Sequence, residues 1–79
     1  MQDSLSQTGH VVGLKQTSRA LRENRVRTVY LASDCDDNIK AQVRSLCRDG
    51  KVPCVEEYTM EVLGRSCGID VGASVVGVV

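Results

Sequence analysis

Segments rich in β-branched residues alternate with helix-forming stretches along this chain, and this alternation restricts the fold more than any other feature of the sequence. After a brief extended segment at 10–13, the pattern predicts a helix at 14–23, a strand at 26–32, a helix after a turn at 34–37, a strand at 54–57, a helix at 60–66 capped by Thr59, and a strand at 73–79. Such alternation predicts the α/β class, here a three-layer α/β/α sandwich with a small mixed central sheet. We expect most strands of that sheet to be parallel, and the sequence leaves their order open.

The helix that follows the 34–37 turn has the clearest local signals. Its apolar residues are spaced to form one stripe on a helix surface: Ile39, Val43, Leu46 and Cys47. The aspartates of the preceding turn are suited to cap its start, and Gly50 is suited to the left-handed position just beyond its end. In the first predicted helix, by comparison, only the Ala20–Leu21 pair marks an inward side.

The composition limits both the size and the chemistry of the core. The chain has 79 residues, which predicts a single domain at 1–79, with the polar residues 1–9 expected to be mobile or to form a short first turn. Apolar residues make up 42% of the chain, enough for a packed core, yet Tyr30 and Tyr58 are its only aromatic residues. The core must therefore consist of Val, Leu, Ile, Ala and Cys. The scarcity of rings also disfavours a site that binds single strands by stacking bases.

Charge is unevenly distributed along a chain of zero net charge. Residues 1–30 carry a net charge of +3 and residues 31–79 a net charge of −3. The basic residues of the first part either steer the protein toward phosphate or form an ordinary solvated helix end: Lys15, Arg19, Arg22, Arg25 and Arg27.

The residues that could perform catalysis form no recognisable set. A nucleophile needs a neighbouring base, and the only histidine, His10, lies in a polar segment. Asp34, Asp36 and Asp37 could form a carboxylate site, but their position before a helix makes capping the simpler explanation. We therefore expect neither enzymatic activity nor a cofactor.

The four cysteines, at 35, 47, 54 and 67, lack the Cys-x-x-Cys spacing of a zinc site, so we expect no metal. We expect no leader segment ahead of the predicted domain, and no apolar run approaches the roughly 20 residues of a membrane span. These features predict a cytoplasmic protein whose cysteines are reduced and pack as small hydrophobic residues.

A candidate binding motif lies where the first helix begins. Gly13 directly precedes the helix, whose free N–H groups and positive dipole end suit phosphate. Lys15, Gln16 and Arg19 add side-chain donors in the first turn and a half. Cations at a helix start oppose the dipole, and such a local misfit is typical of functional sites. The alternative is a solvated basic turn.

A second candidate is the loop at 68–72. Ile69, Asp70 and Val71 stand between two glycines, outside any helix or strand pattern. The two β-branched residues either form a small exposed apolar surface that could pack on a base, or they pack beneath the loop, as most Ile and Val residues do.

The same segments resemble a known family. The similarity is clearest in three segments: GLKQTSRAL at 13–21, VYLASDCD at 29–36 and LGRSCGIDVGASV at 63–75. The chain is similar, from about Leu5 to the C-terminus, to the family of large-subunit ribosomal protein seven-Ae, and particularly to its short bacterial members that bind kink-turn RNA. The resemblance implies an α/β/α sandwich. It also implies a ligand in which two RNA helices meet at a sharply bent bulge closed by tandem sheared G·A pairs.

The resemblance also implies roles for individual residues. Gly13, Lys15 and Gln16 match the residues that approach the G·A pairs, and Arg19 matches the family's basic position. Archaeal members have Asn and Glu where this chain has Lys15 and Gln16. An amide thus replaces a carboxylate acceptor, and we expect the guanine contact at Gln16 to differ accordingly.

The loop residues Ile69, Asp70 and Val71 match the segment that packs on the bulged nucleotides, with Asp70 one methylene shorter than the usual Glu. This form of recognition agrees with how proteins generally read RNA, through bulges and distorted pairs rather than regular duplex. The predicted function is binding of a kink-turn in ribosomal RNA or a structured mRNA leader, by a protein that acts as a monomer. The alternative is a protein–protein adaptor that keeps the fold without RNA binding.

Overall fold

The computed structural model describes residues 9–68 and 72–79. Residues 1–8, to which most of the prediction for the N-terminal segment applied, lie outside the described part of the chain. The predicted roles of Ile69, Asp70 and Val71 lie outside it as well.

Four strands and three helices follow one another in the described residues. They are β1 (His10–Val12), α1 (Leu14–Arg22), β2 (Thr28–Leu31), α2 (Asp37–Gly50), β3 (Cys54–Val55), α3 (Met60–Ser66) and β4 (Val75–Val78). All three predicted helices are confirmed, with bounds within a residue of the predicted ones where those were given. The strands are shorter than predicted, because only the residues that pair with a neighbouring strand belong to the ladder.

The sheet has the order β1-β4-β2-β3. The last strand, β4, lies between β1 and β2 and runs antiparallel to both, whereas β2 and β3 are parallel. The prediction of a mixed sheet is confirmed, but the expectation that most strands would be parallel was wrong. The chain returns after α3 to insert β4 in the opposite direction, and no local sequence pattern encodes that choice.

The helices cover both faces of this sheet. On one face α1 packs against α2 and against strands β1 and β4. Gly77 lies there, and a Cβ at this position would stand only 3.1 Å from Cγ2 of Thr17, so glycine lets α1 approach the central strand closely. On the other face, Val76 and Val78 line a groove together with Leu63 of α3. The predicted three-layer arrangement is confirmed.

The core lies mainly between the sheet and α1 and α2. Its most completely buried large residues are aliphatic: Leu31, Val29, Val43 and Val75. Ala20 and Leu21 also face inward, as their spacing predicted, with 0% and 6% of their surface exposed. The expected core without aromatic rings is thus the observed one.

Helix α2 shows one correct and one incorrect prediction at its ends. Its stripe is confirmed, since Val43 and Cys47 are buried and the other two members pack against the core. Gly50, however, is the last helical residue, and Lys51 adopts the left-handed conformation with φ 56°. The N–H of Lys51 donates to the carbonyl of Arg48 at 3.2 Å, which closes the helix without glycine.

The aspartates before α2 cap two different helices. Asp36 accepts a hydrogen bond from the Asn38 N–H at 2.7 Å and so caps α2. Asp34 instead accepts from the N–H of Met60 at 2.8 Å, at the start of α3. Thr59 caps that same helix, as predicted, by accepting from the N–H of Val62. The carboxylates therefore serve helix starts, the simpler of the two explanations.

None of the helices in the described ranges is long and apolar enough to span a membrane.

Candidate nucleic-acid interface

Gly13 forms the junction between β1 and α1 in a conformation that other residues strongly avoid. Its φ is 99° and its ψ is 155°, a region that is essentially restricted to glycine. Its N–H donates to the carbonyl of Val75 at 2.9 Å. No described atom outside its neighbours lies within 4 Å of where a Cβ would stand, so the backbone here is open to close approach by a ligand.

Helix α1 begins without the usual stabilising groups. Gly13 is its N-cap and makes no side-chain hydrogen bond to the helix, and the first turn contains no acidic residue. The N-cap therefore supplies no side-chain acceptor to the first N–H groups, which lie at the positive end of the helix dipole. Lys15 and Gln16, both exposed, project from this turn. The arrangement presents backbone and side-chain donors together and is suited to phosphate oxygens or to the acceptor edge of a base.

Arg19 extends the same surface by one helical turn. Its side chain is 72% exposed, and its guanidinium lies 3.7 Å from the carboxylate of Glu23, measured between N and O. Glu23 also accepts a shorter hydrogen bond from Arg25, at 2.8 Å. Exposed pairs of this kind contribute little to stability. The guanidinium of Arg19 is thus weakly held and available to another anion.

The 68–72 loop is tied to this helix start through β4. Its last residue, Gly72, packs against Met60, and the N–H of Ala73 donates to the Met60 carbonyl at 3.0 Å. Two residues later Val75 accepts the hydrogen bond from Gly13. The structure therefore brings four predicted site residues, Gly13, Lys15, Gln16 and Arg19, onto one surface, and joins it to the strand that follows the loop. The remaining three, at 69–71, are outside the described residues.

A shallow cleft of about 500 Å³ lies beside these residues, between α1 and α2. It is lined by Leu14, Lys15, Ser18, Arg19, Arg22 and Gln42. The sequence indicated Arg22 only as part of a general basic region, and it gave no sign that Gln42 would lie here. The spacing of Lys15, Arg19 and Arg22 at four and three residues could have indicated a common helix face. The approach of Gln42 depends on how α1 packs against α2, which the sequence does not reveal.

A second, largely apolar groove of about 400 Å³ lies on the opposite face of the sheet. Tyr30 and Tyr58 form part of it, with ring centroids 6.1 Å apart, and Val62 lies along its edge. Tyr58 and Val62 are the only large hydrophobic residues of the described chain that are exposed. This groove is separate from the basic surface of α1.

The cysteines have the burial expected of small hydrophobic residues. Cys35 and Cys47 are buried, Cys54 and Cys67 are half-buried, and all four are free thiols. Burial raises the pKa of Cys47 to about 12, and it also raises the pKa of Cys35, Cys54 and Cys67. A thiol that stays protonated at neutral pH is a poor nucleophile and a poor metal ligand. In the ranges that the structure describes, no three metal-ligating side chains come together.

Comparison with known proteins agrees with the fold and the resemblance. An RNA-binding protein of Caldanaerobacter subterraneus subsp. tengcongensis is 41% identical over 64 residues, covering 81% of this chain and 78% of that protein. An RNA-binding protein of Bacillus pumilus is 35% identical over 77 residues, covering 96% and 94%. The chain is thus similar to proteins of nearly its own length.

Solved structures show the same fold. The 15.5 kD RNA binding protein of Giardia lamblia superposes with a TM-score of 0.84 at 24% identity, covering 92% of this chain and 62% of that one. A protein of unknown function from Bacillus halodurans superposes with a TM-score of 0.82 at 26% identity, covering 87% and 69%. The sequence model of the ribosomal protein L7Ae/L30e/S12e/Gadd45 family matches residues 1–79. The resemblance seen in the sequence is confirmed, and the chain belongs to this family.

Proposed function

We propose that this protein binds RNA, and that its ligand is a kink-turn in ribosomal RNA or in a structured mRNA leader. The observation that carries the proposal is the uncapped start of α1, where Gly13 leaves the backbone open and Lys15 and Gln16 are exposed. Membership of the family, and relatives that are named as RNA-binding proteins, support the same ligand class.

Each residue at the helix start has a distinct part in this recognition. Gly13 lacks a Cβ, so the tandem G·A pairs can approach the first N–H groups of α1 directly. Lys15 donates to a guanine acceptor or to a phosphate oxygen. Gln16 both donates and accepts through its amide, and so can satisfy a base edge that presents both kinds of group. Arg19, one turn further, neutralises a backbone phosphate.

The loop supplies the second half of the proposed contact. Ile69 and Val71 pack on the bulged nucleotides that the kink exposes, while Asp70 accepts hydrogen bonds from the RNA. Sheared pairs and unstacked bases expose edges and faces that a regular A-form helix hides from side chains. The proposed site therefore reads the shape of a bent junction and does not need stacking on aromatic rings.

A pair of titrations tests this function. The protein is titrated against a kink-turn RNA and against the same RNA with its G·A pairs replaced by Watson–Crick pairs. Tight binding to the first RNA alone is the expected result. Equal binding to both would reduce the function to general phosphate attraction. No binding to either would contradict RNA recognition altogether.

The apolar groove on the other face of the sheet favours a second function, that of a protein–protein adaptor. Tyr58 and Val62, 43% and 41% exposed, would be anchors for a partner chain. This function requires neither Lys15 nor Gln16, so the two possibilities differ in which face must remain intact. We favour RNA binding because the uncapped helix start has no role in an adaptor.

A further inference from the structure

The cleft between α1 and α2 continues the basic surface beyond the residues that the proposed function uses. Lys15, Arg19 and Arg22 lie along its α1 side. The first and the last of these residues are seven positions apart, roughly 10 Å along the helix. Three cations spread over this length suit a ligand that carries several negative charges in a row, and they do not converge on a single ion. Leu14 and Ser18, the latter only 7% exposed, complete the α1 side of the cleft.

Within residues 9–68 and 72–79, no carboxylate lines this cleft. Among the residues that the structure describes, the only carboxylate paired with any of its cations is Glu23, at 3.7 Å from Arg19. Neither Lys15 nor Arg22 forms an ion pair within that part of the chain. The opposite side of the cleft contributes Gln42, whose amide is a neutral donor. The cleft therefore offers positive charge and hydrogen-bond donors, and among the described residues only the exposed Glu23–Arg19 pair competes for them.

We propose that this cleft binds the sugar–phosphate backbone of one RNA strand, so that Arg22, Ser18 and Gln42 become RNA contacts in addition to the helix start. The inference rests on the proposed RNA-binding function and extends its footprint across α1 onto α2. The cleft lacks aromatic residues on which bases could stack, whereas guanidinium, ammonium, hydroxyl and amide donors all suit phosphate oxygens. The strand that leaves the G·A pairs at Lys15 continues along α1 toward Arg22.

Salt dependence of binding is the first test, with Arg22→Gln compared with Arg48→Gln. Both arginines are exposed and lie in the last turn of a helix, so each variant loses the same charge and the same interaction with the helix dipole. The logarithm of the binding constant is measured against the logarithm of salt concentration. One lost phosphate contact should reduce the magnitude of the slope by roughly 0.7–0.9. We expect this reduction for Arg22→Gln and none for Arg48→Gln.

A second pair of variants examines the α2 side. Gln42→Glu places a carboxylate in the cleft, whereas Ala41→Glu adds the same charge to the exposed neighbouring position outside it. We expect Gln42→Glu to lower the affinity by about tenfold or more, because the loss is on the order of one charge-assisted contact with phosphate. We expect Ala41→Glu to lower it by less than about twofold, because solvent and salt screen a charge on the exposed surface. Thermal unfolding of all four variants identifies any loss that results from misfolding.

Kink-turn RNA and its Watson–Crick counterpart are both used as probes. Kink-turn recognition and backbone binding in the cleft can then be contradicted independently of each other. Preferential binding to the kink-turn with equal slopes for Arg22→Gln and Arg48→Gln would overturn the cleft and leave the proposed function intact. Equal binding to both RNAs with a reduced slope only for Arg22→Gln would support the cleft and overturn kink-turn specificity. An absence of binding to either RNA would overturn both.

Discussion

The N–H of Gly13 donates to the carbonyl of Val75 at 2.9 Å, which fixes the start of α1 against the strand that follows the 68–72 loop. These residues are 62 positions apart in the sequence, yet Gly13 belongs to one of the two segments to which we assign RNA contacts, and Val75 begins the strand that follows the other. The bond makes the helix start and the end of the loop parts of one framework. The start of α1 is therefore held in place by a strand from the other end of the chain.

The first prediction concerns the two exposed side chains of the first turn of α1. Lys15→Ala and Gln16→Ala should each weaken binding to kink-turn RNA by roughly 1–3 kcal/mol, the usual size of a lost specific contact. Isothermal titration calorimetry measures the change. Arg48→Ala, an exposed change on α2, is the control and should bind like wild type. Wild-type affinity in both first-turn variants would exclude them from the site.

The second prediction concerns the conformation of Gly13. With φ at 99°, a Gly13→Ala variant should lose roughly 1–3 kcal/mol of stability, because alanine strongly disfavours this region even though a Cβ would meet open space. Gly50→Ala is the matched control. Gly50 lies in the last turn of α2 without a positive φ, so alanine there should raise stability by about 0.5–1 kcal/mol. Urea unfolding measures both, and an equal effect of the two changes would contradict the assigned backbone strain.

The third prediction concerns a buried hydroxyl between α1 and the sheet. Thr17 is 1% exposed, and its Oγ1 has no hydrogen-bond partner among the described residues. Thr17→Val keeps the shape of the side chain and removes the unsatisfied group, so we expect a gain of roughly 1 kcal/mol in the free energy of unfolding. At Thr59, where the hydroxyl caps α3, the same change should instead cost about 1 kcal/mol. A loss of stability in Thr17→Val would mean that its hydroxyl is satisfied in solution.

The fourth prediction concerns the loop. Val71→Asp should weaken RNA binding, because a carboxylate would face the bulged nucleotides, while thermal unfolding stays cooperative. Val62→Asp adds the same charge on the apolar groove and should leave RNA affinity unchanged. Loss of a cooperative transition in Val71→Asp would place that valine in the core instead.

The helices could be predicted from sequence because their signals are local. Asp36 and Thr59 cap the helices they precede, and the stripe that includes Val43 and Cys47 faces the core. The C-terminal end of α2 was not predictable in this way, since Lys51 takes the left-handed position beside an available Gly50.

Features that depend on contacts between distant segments were missed. Insertion of β4 between β1 and β2 makes the sheet mainly antiparallel, whereas strand–helix alternation alone suggested parallel pairing. The place of Gly13, Lys15 and Gln16 at the start of α1 could be predicted, because a glycine ahead of a helix-forming stretch is a local signal. Their role in RNA binding stays a prediction. Gln42 enters the cleft only through the packing of α1 against α2.

The most direct test of the central claim is a map of amide chemical shifts, recorded by NMR as kink-turn RNA is added to the labelled protein. We predict that the largest changes occur in residues 13–19 and that amides around Tyr58 and Val62, on the other face of the sheet, stay unchanged. Changes centred on Tyr58 and Val62, with 13–19 unaffected, would contradict the assignment of the helix start as the RNA-binding surface.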